Sequence, residues 1–147
     1  MSTHAAAIEW SRAPHPADPK TYSRNHLAAI AGGQKVNMSS SPAFLGDPDC
    51  ADPEQMVVSA LASCHMLFFL AIADLKGYPV ARYTDTPVGE LGKTERGQAL
   101  TRITLSPRVT FVDKTPDAAA LAAIHDSAHK RCFIANSLTA EIALDLG

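Results

Sequence analysis

The residues whose types and spacing could do chemistry are Cys64 and Cys132, His65 directly after the first thiol, and His125 and His129 just ahead of the second. Two thiols brought close together can act as a nucleophile and its partner, or close a disulfide. The same cysteines also suit plain burial, because free cysteine is among the most buried residue types. Cys50 sits in a loop with no pairing pattern, and reads as incidental. A different use of the set is a metal site. His65 beside Cys64, with His125, His129 and Cys132 along one segment, supplies enough nitrogen and sulfur for tetrahedral zinc. The paired Cys-x-x-Cys or His-Glu-x-x-His spacing of strong zinc motifs is missing. Glu54 and Arg24 have ordinary explanations: a carboxylate in a first helical turn, favoured by the helix dipole, and a charge on a strand surface.

The elements that must position these groups start with the stretch from Pro53 to Gly77, which reads as one long central helix. Asp52 can cap it, Pro53 suits the first helical position, Gln55 sits three residues after the cap, and Gly77 supplies the stop. Val57, Ala60, Leu61, Leu67, Phe68 and Ala71 recur at helical spacing with Cys64 on their stripe, but Met56, Val58, Met66, Phe69 and Leu70 spread apolar character around the rest. A helix apolar on most sides must be covered on most sides. Thr115 and Pro116 open a second helix from Asp117 to about Arg131, with Leu121, Ile124 and Ala128 on its buried stripe and Cys132 next on the same step.

Around these helices the pattern is that of strands. Ile8 to Trp10, Tyr22 to Ile30 and Gln34 to Ser40 are short candidates, with Gly32-Gly33 as a hairpin turn. Ser41 to Asp52 reads as an irregular loop leading to the central helix. Val80 to Leu91 is a strand interrupted at Pro87 and Gly89. Ile103, Leu105, Val109 and Phe111 alternate with polar residues, with Pro107 marking a bulge or an edge. Leu138 to Leu146 alternates in the same way. Strands, helix, strands, helix, strand predicts an α+β fold, a mostly antiparallel sheet packed on two helices, in a single domain over residues 1–147.

Composition narrows the function classes. A net charge of −2 with 19% charged residues gives no electrostatic case for nucleic acid or an anionic membrane as partner, so neither is expected. The first residues lack a signal-peptide pattern, and the central apolar run is broken by Ser59, Ser63, His65 and Asp74, so the protein is expected in the cytoplasm. Three cysteines are too few and too odd in number for a disulfide framework. No glycine-rich phosphate loop follows any strand, so the nucleotide-binding folds lose their main support.

Pro53-Glu54-Gln55 followed by Ala60-Leu61-Ala62-Ser63-Cys64, the later Ala128-His129-Lys130-Arg131-Cys132 and the preceding Phe44-Leu45-Gly46 together resemble the OsmC/Ohr family of peroxide reductases, over most of the chain. The resemblance implies a thiol-dependent peroxidase preferring organic hydroperoxides, built as an intertwined homodimer with sites at the subunit interface. It assigns Cys64 as the peroxidatic cysteine, Cys132 as the resolving cysteine, Glu54 as the carboxylate orienting an active-site arginine, and Arg24 as that arginine. No cofactor is implied; an external dithiol donor is, a lipoylated protein among the candidates. His65 after the first cysteine, Phe133 after the second and Cys50-Ala51-Asp52 before the helix depart from the family pattern, and bear on the preferred peroxide and donor rather than on the chemistry.

That chemistry accounts for the residue types. A guanidinium lowers a thiol's pKa and binds peroxide oxygens, and a carboxylate fixes the guanidinium fork. The alternative is a non-enzymatic binding protein on the same fold, with zinc or a small apolar ligand at the dimer interface. Glu54 and Cys64 are separated by a helical rise of about 15 Å, too far for both to meet one small substrate, which predicts that the glutamate of a site comes from the partner copy.

Overall fold

The computed structural model describes all 147 residues and divides them into two compact units, residues 1–56 and 57–147. The first unit is an antiparallel sheet of β1 (Ala7–Glu9), β2 (His26–Ala29) and β3 (Lys35–Met38), in that order. The expected strands are present, the first shifted by one residue and the other two shorter. Tyr22 to Asn25 stay outside β2, so Arg24 precedes the strand rather than lying on its surface. Gly32 and Gly33 make the β2–β3 turn with φ of 70° and 72°, the left-handed region that favours glycine. In the loop that follows, Phe44-Leu45-Gly46 has a steric cause. A Cβ on Gly46 would meet the Ser40 carbonyl oxygen at 1.5 Å, so no larger residue fits without moving the backbone.

The helix α1 runs Pro53–Leu75. Its start is a reciprocal capping box: the Asp52 carboxylate accepts from Gln55 N–H at 2.7 Å, and Gln55 Oε1 accepts from Asp52 N–H at 2.9 Å. Gly77, with φ 80°, ends it. The helix is also long and apolar enough to cross a membrane. Its buried face differs from the expected stripe. Val58, Leu61, Ala62, His65, Phe69, Ile72 and Ala73 are buried, whereas Ala60 and Leu67 are exposed. Where nearly every side is apolar, periodicity alone does not choose the face, and the partners in the core do.

In the second unit, β4 (Val80–Thr84) pairs antiparallel with β7 (Arg108–Phe111), and β5 (Val88–Thr94), β6 (Gly97–Leu105) and β8 (Glu141–Leu144) form a second sheet. Pro87 splits the first expected strand into β4 and β5. Pro107 splits the next into β6 and β7, which belong to different sheets. The pairing of β6 with β8 is parallel, so the fold is α+β with one mixed sheet. Helix α2 (Ala118–Arg131) is capped by Asp117, whose Oδ1 accepts from Ala120 N–H at 2.8 Å. A short helix α3 (Phe133–Ser137), which the sequence reading left unassigned, follows directly. Two apolar cores result. One gathers Val58, Leu61, Ala62, Ile103, Leu105 and Cys132, and the other Phe69, Ile72, Ala73, Ile124 and Ala128.

Candidate active site

Cys132 is the hinge residue between α2 and α3 and is fully buried. Its sulfur caps α3 by accepting from Ala135 N–H at 3.4 Å. Burial raises the Cys132 pKa to about 11, and a side-chain hydrogen bond with Cys64 adds to the rise. Cys132 therefore stands as a protonated thiol beside Cys64. Cys64 is half-buried on α1 and packs at the edge of the same core; both sulfurs are free thiols. The arrangement pairs a reachable sulfur with a sealed one, close enough to hydrogen-bond and so close enough for a modest side-chain movement to join them.

Aromatic residues stand beside the pair. Phe68, one helical turn after Cys64, meets Phe133 edge to face with ring centroids 5.1 Å apart, and Phe133 itself is 71% exposed. The position after Cys132 thus presents an apolar ring to solvent next to the thiols.

The other two candidate residues lie in residues 1–56 and do not meet there. Arg24 is half-buried with its guanidinium over the Tyr22 ring, 4.1 Å from the centroid, and its Nη1 donates to Thr21 Oγ1 at 3.1 Å and to the Tyr22 carbonyl. Glu54 is half-buried in the first turn of α1 and forms no ion pair; the chain's ion pairs use Arg102 and Lys130. Within one chain, then, the two cysteines come together and the Arg24–Glu54 pair does not. Cys50 hydrogen-bonds Asp47 and has its pKa raised, first by burial and then by that carboxylate, which makes it a poor nucleophile.

The histidines are not arranged as metal ligands, and no group of three or more His, Cys, Asp or Glu is placed to hold an ion. Instead His65 Nε2 and His125 Nδ1 share a hydrogen bond of 3.0 Å, with the rings stacked at 5.3 Å and both residues buried. Burial holds both imidazoles down to a pKa of about 4, helped for His65 by the charge of His129 and for His125 by that of His65. Sequence reasoning missed this pair. The signal was there in spacing: His65 continues the series Val58, Leu61, Ala62, Phe69, Ile72, and His125 stands between Leu121 and Ala128.

An α+β chain whose two helices bring a half-exposed cysteine against a buried one is a two-thiol protein by construction. The profile of the OsmC-like protein family matches residues 46–147, and the chain belongs to that family. An OsmC-like protein of unknown function from Vibrio cholerae is similar at 39% identity and TM-score 0.90, covering 99% of each chain. An organic hydroperoxide resistance protein from Legionella pneumophila shares the fold at 18% identity and TM-score 0.76, covering 98% of this chain and 96% of its own. The organic hydroperoxide resistance protein OhrB of Bacillus subtilis does so at 15% identity and TM-score 0.71, covering 99% and 98%. No curated protein matches the chain.

Proposed function

We propose that the protein is a thiol peroxidase that reduces organic hydroperoxides to alcohols. The observation that carries this reading is the packing of half-buried Cys64 against the core that holds buried, protonated Cys132. The Cys64 thiolate sulfur bonds the distal oxygen of the peroxide, the O–O bond breaks, and the departing alkoxide takes a proton to become the alcohol. Cys64 is left as a sulfenic acid. Cys132 then attacks that sulfur, the S–S bond forms, and the sulfenic oxygen leaves as water with the Cys132 proton. An external dithiol, such as that of a lipoylated protein, gives two electrons to reopen the disulfide. No bound cofactor enters this cycle. The exposed Phe133 and neighbouring Phe68 suit an apolar organic peroxide better than hydrogen peroxide.

Arg24 completes the site in this reading by stabilising the thiolate and binding the peroxide oxygens, and Glu54 fixes the guanidinium fork. Their separation within the chain, and the helical rise between Glu54 and Cys64, favour a homodimer in which the partner copy supplies the glutamate. Exposed apolar residues on α1, such as Leu67 at 59% and Leu75 at 86%, give a second copy surface to cover. The whole chain acts as one OsmC-like domain in the cytoplasm.

The test is thiol titration before and after one equivalent of cumene hydroperoxide. Loss of two thiols per chain, with one alcohol formed, is the expected result. An unchanged thiol count would overturn the proposal and leave a non-enzymatic binding protein.

A further inference from the structure

A cleft of about 460 Å³ in residues 57–147 takes no residue from the thiol pair. Its polar wall is one face of the β4–β7 ribbon. The register sets Arg82 opposite Thr110 and Thr84 opposite Arg108, so two guanidiniums stand diagonally across four neighbouring positions. Tyr83 and Val109, at the alternate positions, pack into the core together with Leu121, and Val109 also lines the cleft. Neither arginine forms an ion pair. Arg108 is held in place by donating Nη1 to the carbonyls of Pro107 and Asp145, each at 2.9 Å, which leaves its remaining donors free. Asp85 also feels the Arg108 charge without forming an ion pair with it; Oδ1 accepts from Ser106 N–H at 2.7 Å and Oδ2 is buried without a partner.

Helix α2 contributes to the lining as well. Leu121 supplies an apolar surface, and His125, only 1% exposed, reaches the cleft. Its Nδ1 is committed to His65, so Nε2 is its one remaining polar atom. Two cations without carboxylate partners, two hydroxyls and a buried imidazole nitrogen beside an apolar wall define what such a space would hold. We propose that this cleft is a binding site for a small organic anion, with its carboxylate or phosphate headgroup on Arg82 and Arg108 and its apolar body along Leu121. The site stands independently of the peroxidase reading.

Occupancy has a consequence for the histidine pair. An anionic oxygen at Nε2 accepts a hydrogen bond, which requires the proton on Nε2 and makes Nδ1 an acceptor. His65 Nε2–H must then be the donor in the buried bond. The ligand thus selects one tautomer of both rings.

The experiment is nitrogen-15 histidine NMR on the full chain, titrated with octanoate, octyl phosphate, octan-1-ol and inorganic phosphate. Saturable binding of octanoate or octyl phosphate, with the His125 signals moving to the Nε2–H form, is expected; whichever binds tighter identifies the headgroup. Octan-1-ol should leave the tautomer unchanged, and inorganic phosphate should bind more weakly for want of the apolar wall. Arg82→Gln, at an exposed position, should weaken binding about tenfold or more, as loss of a charge-assisted contact does, while the His65–His125 signals of the free protein stay in place. Thr110→Val gives an independent, smaller loss. Failure of both amphiphilic anions to bind at millimolar concentration overturns the proposal, and so does binding that ignores Arg82→Gln or reports near Cys64 instead of His125.

Discussion

Cys64 and His65 are neighbours on one helix, and each is paired with a residue of the α2–α3 segment, yet the two pairs live under opposite conditions. The thiol pair sits at the rim of one core, with Cys64 half-exposed and an exposed phenyl ring beside it. The histidine pair is sealed, with His125 against Phe69 at 4.3 Å between ring centroids. A single residue step turns a helix by about 100°, which moves a side chain from the reachable face to the sealed one. Polar chemistry at the rim is available to a substrate. The same degree of polarity in the interior first holds the helices together, with only the edge of His125 reaching the cleft, and is costly as soon as its hydrogen bond is lost.

This contrast predicts that altering Cys64, the reachable member of the rim pair, changes chemistry with little effect on stability. The largest effect belongs to Cys64→Ser, which should abolish the reaction with organic peroxide altogether. Cys132→Ser should permit one attack, leave a sulfenic acid that a dimedone-type probe traps, and drift to sulfinic acid under excess peroxide. Mass spectrometry after a peroxide pulse distinguishes these outcomes, and Cys132 oxidising in the Cys64→Ser protein as fast as Cys64 does in the parent would reverse the roles. Arg24→Ala should slow the first attack by roughly 10²-fold while both thiols remain titratable, the scale expected for removing one preorganised charge stabiliser. An unchanged rate would remove Arg24 from the site.

Altering the sealed pair should do the reverse. Both imidazoles have folded-state pKa values near 4 against 6.5 when unfolded, so the unfolded chain binds more protons between those values. The neutral pair's contribution is therefore complete above pH 6.5, falls as pH drops below it, and is gone below about 4. Together the two rings make this acid loss on the order of a few kcal/mol. Single substitutions, His65→Leu or His125→Leu, should each cost roughly 1–3 kcal/mol by stranding the other ring. The double replacement should recover part of that and flatten the acid limb. Urea unfolding from pH 7 to pH 4 measures this, and a double variant with the parent's acid limb would mean that other groups set it.

What the sequence made legible follows the same division. Capping residues act locally, so Asp52, Pro53, Gln55 and Gly77 located the first long helix, and Thr115 and Pro116 placed the start of the second at Asp117, one residue ahead of its observed start at Ala118. The two cysteines were legible as thiols, one on each long helical segment or at its end, and both pack at one core, although the stripe drawn through Cys64 was not the buried one. The buried face of α1 was misread, because a helix apolar around most of its circumference has its face chosen by long-range partners such as Ile103, Leu105 and Ile124. The exchange of strands between sheets at Pro107 and the parallel β6–β8 pairing were equally hidden, since alternation fixes the face of a strand and says nothing of its neighbour. Cys132 as the cap of α3 was unreadable for a simpler reason. Cysteine is not among the usual capping residues, and a five-residue helix has too little periodicity to show.

The smallest predicted effect is the one that treats both pairs alike. Helix α2 carries His125 directly and delivers Cys132 at its end, and it begins at Asp117, whose carboxylate satisfies the Ala120 N–H. Asp117→Ala removes that bond from an exposed terminus, at about 1 kcal/mol for a lost N-cap. In a chain of this size that corresponds to a fall in Tm of about 2–4 °C. The fraying is confined to the first turn, well before His125 and further still from Cys132, so the acid limb of stability and the rate of Cys64 oxidation should both match the parent. Restoring a cap with Asp117→Ser should recover most of the Tm. A substitution at Asp117 that slowed thiol oxidation while leaving the histidine tautomers untouched would show that the rim pair depends on the whole of α2 and the sealed pair does not, the opposite of the order of packing described above.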